Sequence, residues 1–310
     1  MCTYNGEKYV KQQLDSILQQ TYPLYEIIIQ DDNSKDGTWQ ILQDYASRYS
    51  LIQIYQNQPA LGVNGNFFSA MHKATGDYIA LSDQDDIWHS DKIENQMKNI
   101  GDKLLCSGHT RPFSEDGSFA HYDARRPNIH LMRLIFSGLP GHTMLFKREL
   151  IENIMPKENE LYQVSFYDVA LELAAGAYES IAYCDEVLVD FRRHSDATTY
   201  SDYSRNLPSL GNAFYILKWS IANYKKVRPK ARKFWHARLA FLNALPKGAK
   251  CHTQTQQMLH LELQDGLLAF VRLQLLFIKH HKHLFQTEGG GIVKIIRAAL
   301  YPLMQYYTYR

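Results

Sequence analysis

Short apolar runs alternate with stretches of helical spacing over the first hundred residues. The runs at 25–30, 51–55 and 78–81 are almost continuously apolar, as expected for strands that helices cover on both faces. Between them apolar residues recur every three or four positions, for example at Val10, Leu14 and Ile17. This alternation predicts an α/β fold with a Rossmann-like, mostly parallel sheet flanked by helices.

The first predicted strand is unusually short. It should end at Tyr4, because Asn5-Gly6 is a turn signal and helical spacing begins directly afterwards. A central parallel strand normally has about five or six residues. We therefore expect the natural chain to carry several more apolar residues upstream.

The pattern changes to helices beyond about residue 205, which predicts a catalytic domain at 1–204 and a mainly helical region at 205–310. One amphipathic helix is expected near Phe214, a basic cluster interrupted by Pro229 follows at 225–233, and another helix is expected at 255–281. A last apolar stripe at helical spacing comprises Ile292, Ile295, Ile296, Ala299, Leu300 and Leu303. The stripe fits an interfacial anchor, a dimer helix or a packing helix.

Charge divides the chain in the same place. Residues 1–202 carry 17 Lys and Arg against 29 Asp and Glu, a net −12, whereas residues 203–310 carry 17 against 3, a net +14. A basic region of this kind either faces an anionic partner such as a membrane surface or docks on the acidic part of the chain. Nucleic acid is the least favoured partner because no recognised binding motif is present.

Composition fits a globular protein of a reducing compartment. With 310 residues, 45% hydrophobic and 21% charged, the chain can bury a full core. The four cysteines lie far apart and show no paired spacing, so neither a disulfide framework nor a zinc site is indicated. The longest apolar run, 266–278, is interrupted by Arg272 and Gln274 and is too short to span a bilayer. A cytoplasmic location is expected, with peripheral contact at the inner membrane face as an option.

Acidic residues follow two of the predicted strands. Three carboxylates, Asp83, Asp85 and Asp86, come directly after the apolar run at 78–81. Open α/β sheets bind ligands at this carboxyl end of their strands. Like charges this close need a compensating cation or donors, and hard divalent cations favour oxygen ligands. The segment predicts a metal-assisted site for a phosphate-bearing ligand, with a solvated acidic loop as the alternative.

Four segments resemble the inverting glycosyltransferases of family 2, which have the GT-A fold, and they stand in the same order. They are Cys-Thr-Tyr-Asn-Gly at 2–6, Gln-Thr-Tyr-Pro at 20–23, Asp-Asp-Asn-Ser-Lys-Asp-Gly-Thr at 31–38 and Gly-Asp-Tyr-Ile-Ala-Leu-Ser-Asp-Gln-Asp-Asp-Ile-Trp at 76–88. The last segment looks most like rhamnosyltransferase-type members. The resemblance covers about residues 1–200 and implies transfer of a sugar from a nucleotide-diphosphate donor, with dTDP-rhamnose one candidate, to a glycan or lipid-linked acceptor of a surface polysaccharide.

The resemblance also implies which residues hold the donor. Cys2, Thr3 and Tyr4 would lie along the nucleotide base, and Asp32, with Asp31 beside it, would contact the base or ribose. Asp83 and Asp85 match the family's Asp-x-Asp motif. Asp85 would ligate Mn²⁺ or Mg²⁺, and Asp83 would bind the ribose or support the metal, so that the cation offsets charge on the leaving diphosphate.

Further roles follow from the resemblance in the middle of the chain. Gly141 and His142 would line the sugar and acceptor pocket, although a loop histidine with a structural hydrogen bond is the commoner outcome. Asp168 matches the general base that deprotonates the acceptor hydroxyl. Its plain alternative is an acid favoured by the dipole of a helix N-terminus. Many relatives have His or Glu before this base, where this chain has Tyr167.

A basic segment completes the expected site. The resemblance implies that His194 is a metal or phosphate ligand and that Arg192 or Arg193 contributes charge to the diphosphate. A solvated basic turn is the competing interpretation. The polar loop at 195–206 is expected to become ordered when the donor binds.

Two other functions remain open from the sequence. A nucleotidyltransferase would also use acids at strand ends with Mg²⁺, but it usually has a glycine-rich phosphate loop that this chain lacks. A catalytically inactive adaptor could keep the fold and bind a membrane or proteins through the basic region. The sequence has no Gln-x-x-Arg-Trp motif, which disfavours a processive synthase.

Overall fold

The structure is a computed structural model and describes residues 1–115, 117, 124–194, 210–285 and 291–310. The strands are β1 (Cys2–Thr3), β2 (Ile27–Asp31), β3 (Ile52–Gln56), β4 (Tyr78–Ala80), β5 (Ile87–Trp88), β6 (Leu105–Phe113), β7 (Leu145–Lys147) and β8 (Ile181–Arg192). The α-helices are α1 (Val10–Leu18), α2 (Thr38–Arg48), α3 (Gly62–Lys73), α4 (Lys92–Ile100), α5 (Leu131–Leu134), α6 (Tyr167–Ala177), α7 (Leu210–Ala244), α8 (Lys250–Leu263), α9 (Leu267–Lys279), α10 (His281–Leu284) and α11 (Gly291–Met304). Short 3-10 helices lie at Gly141–Thr143, Glu160–Gln163 and Gln305–Tyr309, and a π-helix lies at Leu150–Ile154.

Two sheets carry the site. The first has the order β1-β2-β3 and is parallel throughout. The second has the order β4-β7-β6-β8-β5, in which β6 and β8 run parallel and the other neighbours run antiparallel. The predicted α/β class is confirmed. The antiparallel pairs in the second sheet were not predicted, because an apolar run does not show which strand it pairs with.

Both faces of β2 are buried, as its continuous apolar run predicts. Ile28 packs in a cluster with Phe67 and Met71 of α3, whereas Ile27 and Ile29 pack in a second cluster with Leu14 of α1. Successive side chains of a strand point to opposite faces, so one short strand connects both hydrophobic layers. Each fully buried side chain of this size contributes about 1.5–3 kcal/mol.

The C-terminal region differs from one of the predictions. Helix α7 extends from Leu210 to Ala244 and includes Pro229 of the basic cluster. The single helix predicted at 255–281 is wrong, because α8 ends at Leu263 and α9 begins at Leu267. Gly266 has φ +98° between them, a conformation that glycine adopts readily and that interrupts a helix. Apolar spacing continues across this break, which is why periodicity did not show it.

The helical region packs directly on the first part of the chain. Trp235 of α7 is fully buried in the same cluster as Leu171 of α6. The Ala249 amide donates to the Ala177 carbonyl at 2.9 Å, and the Tyr178 hydroxyl donates to the Pro246 carbonyl at 2.9 Å. The division near residue 204 stays a prediction, since residues 195–209 lie outside the described part of the chain.

No helix among the described residues combines the length and the apolar character needed to cross a bilayer. The cysteines are all free thiols. Two of them nevertheless meet in the fold, because Cys106 of β6 and Cys184 of β8 have their sulfur atoms 3.4 Å apart. Their separation along the sequence gave no indication of this contact, which depends on the pairing of β6 with β8.

Candidate active site

The three acids after β4 occupy different environments. Asp86 is buried, and its Oδ1 accepts a hydrogen bond of 3.1 Å from the Arg192 amide. Its Oδ2 is also buried and has no hydrogen-bond partner among the described residues. Asp85 Oδ2 lies 2.9 Å from His194 Nε2, while the Asp83 side chain is 36% exposed. Asp86 was missed as an individual site residue, although it belongs to the acidic cluster that the sequence shows.

His142 faces two of these acids from the short helix Gly141–Thr143. Its Nδ1 lies 3.5 Å from Asp86 Oδ2 and 3.8 Å from Asp83 Oδ2. On the other side of the ring, Nε2 lies 3.1 Å from Thr110 Oγ1, and that hydroxyl donates to the Val189 carbonyl. The hydroxyl must therefore accept from Nε2–H. In the neutral imidazole this leaves the lone pair of Nδ1 pointing at two carboxylates.

Burial and neighbouring charges shift the pKa values of Asp85, Asp86 and His142. Burial raises the pKa of Asp86 to about 7; His142 opposes this shift, and Asp83 and Asp85 add to it. Burial and the Asp83 charge also raise the pKa of Asp85. Burial would lower the pKa of His142, but attraction to Asp86 and hydrogen bonding to Asp83 outweigh it, so that pKa is raised. The directions of these pKa shifts mean that ionising all three acids is unfavourable when only His142 and His194 face them.

A divalent cation fits this donor set. One oxygen each of Asp83 and Asp86 and one nitrogen of His142 lie within 4.8 Å of one another, the one such group of three among the described residues. A cation would satisfy the unpartnered Asp86 Oδ2 and the Nδ1 lone pair together. This set differs from the predicted ligands Asp83, Asp85 and His194, of which the structure pairs the last two with each other.

Arg192 contacts the loop that carries Asp83, Asp85 and Asp86, called the acidic loop below. Its guanidinium lies between the rings of Tyr9 at 4.5 Å and Phe113 at 4.7 Å. Its Nε donates to the Asp85 carbonyl at 2.9 Å, and its terminal nitrogens reach Gln12 and Glu115. The side chain is only 5% exposed, so these contacts occupy the group that was expected to bind the diphosphate.

Arg193 and His194 lie beside the same loop. The Arg193 amide donates to the Phe113 carbonyl at 2.8 Å, and its guanidinium stands 5.3 Å from the Phe191 ring. His194 packs against Tyr9 at 5.0 Å, and its Nδ1 is buried without a partner among the described residues. The loop at 195–206, expected to become ordered with donor, lies outside the described residues.

The residues expected at the nucleotide base form a connected network. The Thr3 hydroxyl donates to Asp31 Oδ1 at 2.8 Å, and Asp31 also accepts from Ser34 and Gln56. Asp31 is fully buried and its oxygens are occupied by these donors. Its position therefore suits ordering the loop after β2 better than direct contact with a ligand.

Asp32 has a similar role at the start of α3. It accepts from the Leu61 and Gly62 amides at 2.7 and 2.9 Å and from the Asn57 side chain at 2.8 Å. Helix N-termini offer such unpaired amides. Cys2 is buried, and burial raises the pKa of its thiol to about 12, so it takes part as a small apolar residue. Tyr4 is 54% exposed at the end of β1.

Gln84, between the two acids of the Asp-x-Asp motif, was not predicted to have a role. Its Oε1 accepts from the Tyr4 amide at 2.8 Å and its Nε2 donates to the Tyr4 carbonyl at 3.0 Å. These two bonds imitate the pairing of neighbouring strands. They hold the acidic loop against the end of β1, beside the expected base-binding residues.

Asp168 lies at the first turn of α6, next to Gly141. A Cβ atom on Gly141 would stand 2.8 Å from the Tyr167 hydroxyl and 3.2 Å from Asp168 Cβ, so only glycine allows this approach. Burial raises the pKa of Asp168 to about 6, and a 2.8 Å hydrogen bond from the Val169 amide partly offsets the rise. Asp83 and His142 also influence this pKa. Asp168 thus belongs to the same polar site as the acidic loop.

Tyr167 occupies the position where relatives often have His or Glu. Its ring stacks on Phe67 with centroids 3.8 Å apart, and its amide donates to Asn64 Oδ1 at 2.8 Å. Burial, with the nearby Asp83 and Asp168 charges, raises the pKa of its hydroxyl well above the usual value. Tyr167 therefore stays protonated and can act only as a neutral neighbour of Asp168.

Comparison with known proteins gives the family of this chain. Among curated proteins, uncharacterized proteins of Mycobacterium tuberculosis and Mycobacterium bovis are 28% identical over 211 residues, 65% of this chain and 60% of theirs. The dTDP-rhamnosyl transferase RfbG of Shigella flexneri is 41% identical over 134 residues, 42% of this chain and 44% of that protein. The chain thus spans about three fifths or less of the length of these relatives.

Solved structures show the same fold. TarS 1–349 of S. aureus, in complex with UDP-GlcNAc, superposes with a TM-score of 0.59 at 15% identity, covering 99% of this chain and 88% of that one. The mannosyltransferase PcManGT of Pyrobaculum calidifontis, in complex with GDP-Man and Mn²⁺, gives 0.51 at 16% identity over 99% and 83%. The family model described as "Glycosyl transferase family 2" matches residues 1–155. Because that model matches half of its length, this chain belongs to glycosyltransferase family 2.

Proposed function

We propose that this protein is an inverting, metal-dependent glycosyltransferase. It transfers a sugar from a nucleoside-diphosphate donor to a hydroxyl group of a glycan or lipid-linked acceptor. One observation supports this most strongly: Asp83, Asp86 and His142 converge with an unpartnered carboxylate oxygen, and a carboxylate with a raised pKa, Asp168, stands beside them. Buried polar atoms usually have hydrogen-bond partners, whereas this Asp86 oxygen accepts no hydrogen bond from the described residues.

The chemistry follows from the roles of these side chains. Asp168 accepts the proton of the acceptor hydroxyl while that oxygen attacks the anomeric carbon. The carbon–oxygen bond to the diphosphate breaks on the opposite face, so the configuration inverts and the nucleoside diphosphate leaves. When bound, the divalent cation offsets the charge that develops on this leaving group. A base with a pKa near 6 is ionised at neutral pH and still basic enough to take the proton.

The names of two relatives favour a particular donor and a particular kind of acceptor. RfbG is named as a dTDP-rhamnosyl transferase, which favours dTDP-rhamnose as the donor. TuaG of Bacillus subtilis, 36% identical over 99 residues, 31% of this chain and 38% of that protein, is named as a putative glycosyltransferase of teichuronic acid biosynthesis. The name of TuaG supports an acceptor in surface polysaccharide synthesis.

Calorimetric titration with UDP, GDP and dTDP, each with and without Mn²⁺, tests the donor site without any acceptor. We expect binding that requires the cation, with one nucleotide at least about tenfold tighter than the others, a difference of about 1.4 kcal/mol. Preference for dTDP would support rhamnose. Nucleotide binding that is equally tight in EDTA would contradict metal dependence. If dTTP, titrated in the same way, binds more tightly than dTDP, a nucleotidyltransferase is favoured.

The helical region is proposed to contact an anionic membrane surface. Leu268 and Leu275 of α9 are 65% and 60% exposed, and Ile292 and Ile296 of α11 are 73% and 55% exposed. The two helices lie side by side, since Gln274 Nε2 donates to the Ala299 carbonyl at 2.8 Å. An anionic bilayer binds proteins by burying their exposed apolar side chains and by attracting their positive charge. This region offers both, since it has exposed apolar residues and a net charge of +14 over 203–310.

Vesicle sedimentation tests this contact. Leu268→Asp with Leu275→Asp should reduce binding to phosphatidylglycerol vesicles at least about tenfold, since the apolar contact is lost and two carboxylates are placed against the anionic surface. Thr253→Asp with Gln257→Asp, at exposed positions of α8, makes the same charge change away from this face and should bind like the parent. Equal loss in both variants would show a nonspecific charge effect, and no binding by the parent would refute the contact.

A further inference from the structure

Two buried thiols meet on the neighbouring parallel strands β6 and β8. The sulfur atoms of Cys106 and Cys184 lie 3.4 Å apart, and both side chains are fully buried. In the strand register Cys106 lies opposite Ala182, and Cys184 lies opposite Gly108. The two cysteines are therefore diagonal neighbours on one face of the sheet, where they pack in the same hydrophobic cluster.

Gly108 leaves the space in which the thiols meet. A Cβ atom at this position would lie 3.2 Å from Cys184 Cβ and 2.5 Å from Leu188 Cδ1, so any larger residue would crowd both side chains. The register between the strands is also irregular directly after it, between Gly108 and His109. With no side chain opposite it on β6, the Cys184 side chain has room to turn toward Cys106.

A buried lysine of α4 accompanies the two thiols. The Lys92 side chain is fully buried, with its Nζ 4.1 Å from the centre of the Trp88 ring and 2.8 Å from Gln96 Oε1. Burial lowers the pKa of Lys92 to about 7, and the charges of ionised Cys106 and Cys184 oppose this shift. A thiolate and the ammonium group of Lys92 thus stabilise each other in this apolar setting.

The contact between the thiols makes one of them easier to ionise. The hydrogen bond with Cys106 lowers the pKa of the Cys184 thiol, although burial opposes the shift. The same hydrogen bond, together with burial, raises the pKa of the Cys106 thiol. Because the thiolate is the nucleophilic form of cysteine, the Cys184 sulfur is the attacking atom of the pair.

Oxidation fits this pair better than metal binding does. Structural zinc takes four ligands, whereas in the described part of the chain the possible ligands that converge in a group of three are Asp83, Asp86 and His142. Two thiols in contact can instead form a bond with each other. In a reducing compartment such a disulfide is transient and reports on oxidants.

We propose that Cys106 and Cys184 form a reversible disulfide when the protein meets a small two-electron oxidant such as hydrogen peroxide. The Cys184 thiolate attacks one peroxide oxygen, the O–O bond breaks, and a sulfenic acid and a hydroxide ion result. The Cys106 thiol then attacks the Cys184 sulfur, and its proton leaves with the sulfenic oxygen as water. Two electrons pass from the sulfur atoms to the peroxide, and the hydroxide takes up the proton that Cys184 lost.

The surroundings of the pair determine which reagents act on it and how stable the bond is. Both side chains are fully buried, so peroxide needs only a small local opening of the structure, whereas glutathione needs a wide one. The sulfur atoms must also approach from 3.4 Å to about 2.05 Å. This movement within a close-packed core opposes the bond, so the disulfide should be readily reduced.

Peptide mapping without reductant tests the pair directly. After treatment of the protein with hydrogen peroxide, we expect a linked peptide that contains Cys106 and Cys184, and a protein mass lower by two hydrogen atoms. Dithiothreitol should restore both thiols. Cys2 and Cys251 are matched internal controls, because they are also buried free thiols and burial raises the pKa of each to about 12. Both should stay reduced.

Single variants test the order of the two steps. In Cys106→Ser the hydroxyl can still donate to Cys184, but the second thiol is missing, so oxidation should stop at a Cys184 sulfenic acid that dimedone traps. Cys184→Ser should give at least about tenfold less dimedone labelling, because Cys106 is the thiol that resists ionisation.

Three results would overturn the proposal. One is recovery of Cys106 and Cys184 as free thiols under peroxide treatment that oxidises the protein unfolded in guanidinium chloride. The second is a linked peptide of Cys2 or Cys251 in the same yield, and the third is equal dimedone labelling of the two variants. None of these measurements depends on sugar transfer.

Discussion

Asp168→Asn should lower kcat for sugar transfer by about 10²–10⁴-fold, the range of a lost general base. The side chain keeps its shape and can still accept the hydrogen bond from the Val169 amide, but an amide oxygen cannot take the acceptor proton. Nucleoside-diphosphate affinity should change by less than about twofold, because the leaving group is held elsewhere. Steady-state kinetics together with calorimetric titration separate these two effects.

Glu172→Gln is the matched control, since Glu172 is a second buried carboxyl one turn further along α6. Burial raises its pKa well above the usual value, so it is protonated at neutral pH and Gln resembles it closely. One oxygen accepts from the Leu139 amide at 2.6 Å, a bond that Gln can keep. Activity retained in Asp168→Asn, or lost equally in the control, would refute the role of Asp168.

The raised pKa of Asp168 also predicts how the rate of sugar transfer depends on pH. Only the ionised carboxylate acts as a base, so kcat/KM should fall as pH decreases through about 6. An Asp with an ordinary pKa would keep nearly full activity to about pH 5 and lose half of it only near pH 4. The profile of the Asn variant should lack this acid limb.

Asp86→Asn and His142→Gln should each weaken Mn²⁺-dependent nucleotide binding by at least about 100-fold. Losing groups that only support a ligand typically costs about 10–100-fold in metal affinity, and these two side chains offer ligand atoms themselves. Asp85→Asn should have a smaller effect, because Asp85 is paired with His194. A large loss in Asp85→Asn with normal binding in Asp86→Asn would return the ligand set to Asp83, Asp85 and His194.

Thermal unfolding gives this prediction a second measurement. The folded pKa of Asp86, about 7, lies above the unfolded value of about 3.9. Its contribution to stability is therefore complete at low pH and is lost as pH rises through about 7. Mn²⁺ binds the ionised form, so its effect on Tm should be larger at pH 8 than at pH 6. The difference should become smaller in Asp86→Asn, where His142 is the remaining candidate ligand with a raised pKa.

Local features of the fold could be predicted and distant pairings could not. The strands β2, β3 and β4 and the acids that follow two of them are marked by apolar runs and turn residues within a few positions. His142 reaches Asp86 only because Thr110 and Phe191, on the neighbouring strands β6 and β8, hold its ring. No spacing along the chain encodes that meeting. The resemblance supplied the names of the Asp-x-Asp residues but not the engagement of Asp85 with His194.

The contacts of Arg192 could not be predicted from the sequence either. The resemblance implied that Arg192 or Arg193 contributes charge to the diphosphate. Its contacts to Tyr9, Phe113 and the Asp85 carbonyl depend on where β8 ends relative to α1 and β6. Such a position is set by packing, and packing is not visible in a one-dimensional pattern.

The contact between Gln84 and β1 limits the order in which this part of the protein can change during evolution. A Cβ atom at Gly6 would lie 2.1 Å from Gln84 Oε1, so a larger residue at position 6 would displace this side chain and break its two hydrogen bonds with Tyr4. The reverse change is open, because glycine tolerates any neighbour. Positions 6 and 84, far apart in the gene, should therefore vary together, and position 84 should change before position 6.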